Sequence, residues 1–64
     1  MSAPTLPDQI AEVDRELSVR RIAYRRHVAN KLLTQAEADV RIARLEAVLA
    51  TLRRVQAEKA KIEA

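Results

Sequence analysis

Residues 36–52 read AEADVRIARLEAVLATL, and this stretch decides the architecture. Small residues fall at Ala36, Val40, Ala43, Ala47 and Ala50. A second set, with larger side chains, falls at Ala38, Ile42, Leu45, Leu49 and Leu52. Each set advances by fours and threes, the spacing that keeps residues on one face of an α-helix. At about 100° per residue the two sets lie on roughly opposite sides of the cylinder. A surface helix of a globular protein carries one apolar stripe, so two stripes predict burial on both sides. The rest of the chain has room for one further helix, and the uncovered flank predicts a second copy or a partner protein.

Upstream of this stretch, Thr34-Gln35-Ala36-Glu37 has the form of a capping box. The Thr34 hydroxyl would accept the Glu37 amide, and the Glu37 carboxylate would reach back to the Thr34 amide. The helix is therefore expected to begin at Gln35, with Leu33 stapling its entry. No Pro or Gly interrupts it, so it should run to Lys59, with residues 60–64 frayed.

The first helix is expected over residues 7–29, after a flexible lead-in at 1–6. Thr5 offers an N-cap, Pro7 suits a first turn, and Asp8 and Glu12 complement the positive end of the helix dipole. Its apolar stripe is Leu6, Ile10, Val13, Leu17, Tyr24 and Val28. The gap near positions 20 and 21 is filled by arginines, whose stems can lie along apolar surface. Val19 and Ile22 form a weaker second patch. Asn30 is the expected stop, because Asn tolerates the left-handed conformation well. A turn at 30–34 makes the helices antiparallel.

Charge repeats this pattern. Residues 1–16 carry net −3 and residues 20–31 net +5. In an antiparallel hairpin the basic end of the second helix (Arg53, Arg54, Lys59, Lys61) should lie beside the acidic start of the first. Glu37 and Asp39 should lie beside the basic end of the first. Glu16 is positioned four residues before Arg20 for a pair on one helix.

The expected fold is thus an all-α antiparallel two-helix hairpin assembling into a four-helix bundle as a homodimer. Composition supports that expectation. A 64-residue chain buries only about 60% of its unfolded surface and usually needs a staple. There is no cysteine for a disulfide, and one histidine cannot build a zinc site. Oligomerisation is the remaining route. No apolar run approaches the length of a membrane span, and the first residues lack the charged and apolar regions of a signal peptide. A cytoplasmic location fits.

Arg21-x-x-Tyr24-x-x-x-Val28-x-x-Lys31-Leu32-x-Thr34-x-x-Glu37-Ala38, continued by Ile42-x-x-Leu45-Glu46-Ala47, resembles small uncharacterised helical-hairpin proteins of tailed phages and prophages. Those proteins commonly show an aromatic-rich segment, a Gly-Lys-Leu-Thr-like turn and a Gln-Ala-Glu-Ala helix start. Here Asn30 stands where Gly is usual, Leu32-Leu33 lengthens the turn, and Arg25 and His27 replace frequent Pro and Trp. The resemblance covers roughly residues 20–48. It implies phage origin and a bacterial cytoplasm, and brings no activity.

Candidate sites follow from residue type. Val40, Ala43, Ala47 and Ala50 are the expected self-association surface, since small residues let helices approach closely. Arg20, Arg21, Tyr24 and Arg25 are the expected partner or anion surface. With Arg26 included, the four arginines Arg20, Arg21, Arg25 and Arg26 spread over more than half the helix circumference, unlike a phosphate-binding face, and one tyrosine is few for base stacking. His27 has no second ligand or nearby nucleophile, and the carboxylates of residues 8–16 read as solvated surface. No catalytic, metal or cofactor residue is expected. The functional expectation is a non-catalytic accessory module that binds itself and a host or phage protein, inhibiting that protein in one version. The alternatives are a small basic nucleic-acid-binding protein and an oligomeric binder of an anionic nucleotide.

Overall fold

The computed structural model describes residues 2–63. Helix α1 spans Leu6–Ala29 and helix α2 spans Gln35–Glu63, and they pack together as an antiparallel hairpin with no strand among the described residues. The outer ends of the expected lead-in and tail, Met1 and Ala64, lie outside the described residues. The Cα trace extends 49 × 26 × 13 Å.

Thr5 caps α1 on both sides. Its hydroxyl accepts the Asp8 amide at 3.3 Å, and the Asp8 carboxylate accepts the Thr5 amide at 3.1 Å. Two of the donors that every helix start leaves unpaired are thereby satisfied, with an aspartate in the usual glutamate position. At α2, the Thr34 hydroxyl accepts the Glu37 amide at 3.1 Å. Among the described residues the reciprocal bond from the Thr34 amide to the Glu37 carboxylate is not formed. The expected box is therefore half built.

The exit from α1 corrects the expectation for Asn30. Asn30 sits at φ −90°, and the left-handed residue is Lys31 at φ 60°. The Leu32 amide donates to the His27 carbonyl at 2.8 Å and the Lys31 amide to the Val28 carbonyl at 3.1 Å. This pair of bonds is the Schellman arrangement, which puts the positive φ on the residue after the cap. The helix runs far enough for Asn30 to be that cap, so the unusual dihedral falls on a lysine. Leu33 then turns inward and is buried, whereas Leu32 points to solvent.

The core is small. Leu17 (3% exposed), Leu33, Ala38 (4%) and Leu49 are buried, and Leu6, Ile10, Val13, Tyr24, Val28, Ile42, Leu45 and Leu52 are half-buried around them. Every residue of the expected α1 stripe faces inward, as does the larger of the two α2 seams. At the level of the gap, the half-buried residues are Glu16 and Ala23, and Arg20 and Arg21 are exposed rather than filling it. α2 remains helical to Glu63, past the expected end at Lys59, yet every described residue from Arg53 onward is exposed. No helix among the described residues is long and apolar enough to cross a membrane.

The hairpin presents 5237 Å² of accessible surface. A compact monomer of this mass, 7.2 kDa, would present about 4,100 Å². The excess of about 1,100 Å² reflects two helices that can cover each other along one line only.

Candidate functional site

Turning the larger seam toward α1 leaves the small seam outward. Ala36, Val40, Ala43, Ala47 and Ala50 are all exposed, Val40 at 48%. The choice of seam has a simple cause. Burial free energy scales with apolar area, and Ile42, Leu45, Leu49 and Leu52 offer more of it than four alanines and a valine. The outward strip is low-relief and flanked by Glu37, Arg44 and Glu46, so a second helix could approach its backbone closely.

The loop end of α1 carries the arginines. Arg21, Tyr24 and Arg25 line one shallow groove of about 280 Å³ together with Val28, Ala38 and Ile42, and Arg20 lies outside it. The guanidiniums of Arg20, Arg21 and Arg25 each have a partner. Arg20 donates to Glu16, Arg21 donates to Glu46 at 3.3 Å, and Arg25 Nε donates to the Arg21 carbonyl at 3.3 Å. The Glu16 carboxylate holds the Arg20 guanidinium above its ordinary pKa, chiefly through their hydrogen bond, and Glu12 does the same to Arg15. Tyr24 is half-buried, with the Arg41 guanidinium carbon 6.0 Å from its ring centroid and the His27 ring 6.1 Å away. The ring lies between the helices, where it packs rather than projects.

Ion pairing differs from the expected end-to-end match. Glu12 pairs with Arg15 at 2.7 Å, Glu16 with Arg20, and Lys59 with Glu63, all along one helix. Arg21–Glu46 is the one cross-helix pair among the described residues. Residues three and four apart on one helix meet without any tertiary adjustment, and such local partners win.

A larger groove opens at the other end of the hairpin. It has a volume of about 720 Å³ and is lined by the lead-in from Ser2 to Thr5, by Asp8, Glu12 and Val13 of α1, and by Val48 and Leu52 of α2. Beside it runs a second exposed set of large apolar residues on α2: Val48 at 47%, Val55 at 43% and Ile62 at 86% exposure. The sequence signal for it is the alternation of threes and fours in Leu45, Val48, Leu52, Val55, Lys59 and Ile62. It escapes notice because Leu45 and Leu52 also belong to the inward seam. Only the exposure of Val48 and Val55 separates the two.

Among the described residues there is no cluster of three or more metal-ligating side chains. Comparison with protein-family models, with characterised proteins and with solved structures gives no match.

Proposed function

We propose that this chain is a self-associating helical interaction module with no catalytic role, whose outward α2 strip (Val40, Ala43, Ala47, Ala50) packs against a second copy to make a four-helix bundle. One observation carries the reading. The helix is apolar on two opposite sides, and the hairpin covers one of them. The surplus surface of about 1,100 Å² over a compact monomer is comparable to the roughly 800 Å² per partner that a standard interface buries. Remaining surface on α1, including Arg20, Arg21, Tyr24 and Arg25, would then contact a host or phage protein in the bacterial cytoplasm. The phage setting rests on the turn and helix-start resemblance at residues 20–48.

Sedimentation equilibrium tests the assembly. Ala43→Glu with Ala47→Glu places two carboxylates in the strip and should convert the oligomer to a folded monomer. Unchanged mass and melting temperature in that variant would reduce the strip to ordinary surface.

A further inference from the structure

The end of α2 is exposed, and a groove opens beside the stripe that it continues. From Arg53 to Glu63 every residue of α2 is exposed, and Val55 and Ile62 continue the three-four repeat that begins at Leu45. A repeat of this period is the signature of a helix pairing with another helix. The groove lies beside the same stripe, lined by Val13, Val48 and Leu52, by Asp8 and Glu12, and by the lead-in from Ser2 to Thr5.

We propose that the groove receives the last three turns of α2 from a second copy, running antiparallel to α2, and that the exchange is reciprocal. Charge selects this occupant and this direction. Asp8 and Glu12 line the groove, and the segment that would enter it is net basic, with Arg53, Arg54, Lys59 and Lys61 against Glu58 and Glu63. A parallel pairing along the stripe would set Lys59 against Lys59 and Glu58 against Glu63 of the second copy. An antiparallel pairing avoids both. With Leu52 opposite Val55 of the second copy, Val48 falls opposite its Lys59 and Leu45 opposite its Ile62. Glu12 is one of the residues lining the groove, and Lys59 is the cation of the incoming segment that lies on the stripe facing it. A two-fold axis passing between Arg53 and Arg54 satisfies both copies at once, as an isologous interface requires.

This contact rests on the self-association proposed above and adds to it a surface distinct from the alanine strip. The test uses the full chain in sedimentation velocity across a concentration series, with circular dichroism as the check on folding. Val55, Lys59 and Ile62 are exposed in the hairpin, so their variants should keep its helix content. Val55→Asp with Ile62→Asp should weaken the association by about ten-fold or more, since each removes buried apolar area. Lys59→Glu should weaken it, and Glu12→Lys combined with Lys59→Glu should restore it. Association indifferent to these variants, or a double variant no better than Lys59→Glu, overturns the groove contact. If Ala43→Glu with Ala47→Glu still disrupts assembly in that case, the alanine-strip reading survives; a wild-type chain that is monomeric throughout overturns both.

Discussion

Arg21 and Glu46 form the only ion pair among the described residues that links α1 to α2, with Nη2 and Oε2 3.3 Å apart and both side chains about half exposed, at 49% and 53%. A pair in that position is screened by solvent and contributes little. Glu46→Gln should therefore lower stability by less than about 0.5 kcal/mol in urea unfolding, and the difference should vanish near 1 M salt, where screening acts over about 3 Å. A loss several times larger would mean that the hairpin is held by charge.

Cohesion is expected instead from the few buried apolar side chains. Leu17 is the most buried residue described, at 3% exposure. Leu17→Ala should cost about 2–4 kcal/mol. With four buried residues among those described, that is enough to broaden or abolish the cooperative thermal transition followed by circular dichroism.

The left-handed Lys31 is a second point of leverage. A non-glycine residue at φ 60° costs about 1–2 kcal/mol in steric strain, partly offset by the greater backbone entropy a glycine loses on folding. Lys31→Gly should raise stability by about 0.5–1 kcal/mol and increase the melting temperature. Asn30→Gly, at a residue with negative φ, should give no such gain.

The half-built cap of α2 separates two residues that look equivalent in the capping-box pattern. Thr34→Ala removes the acceptor for the Glu37 amide and should cost about 1 kcal/mol. Glu37→Ala loses only a favourable charge near the helix start, worth about 0.3–1 kcal/mol at low salt. The Glu37 effect should fade in high salt while the Thr34 effect persists. Chemical denaturation of both variants at two ionic strengths makes the comparison.

Much of the molecule is legible in residue order because helices are governed by contacts three and four residues apart. The α1 stripe from Leu6 to Val28, the start of α2 at Gln35 and the inward turn of Leu33 all follow from spacing and capping. The arginine surface is only partly legible. Spacing puts Arg21 and Arg25 on one face and turns Arg20 away from them, but their individual partners depend on rotamers and on the neighbouring helix. The groove at the open end is formed by Val13 and Val48 from different helices, so no local pattern announces it.

By itself the amino-acid order determined two helices, their capped starts, a five-residue turn and a second helix apolar on opposite flanks. Those are short-range consequences of backbone geometry, turn chemistry and a 3.6-residue period. Tertiary structure decided which flank of α2 faces α1, because only packing compares the area buried by Leu45 and Leu49 with that offered by Ala43 and Ala47. It also decided that Lys31 rather than Asn30 takes the left-handed dihedral, since α1 continues until its last carbonyls meet the amides of Lys31 and Leu32.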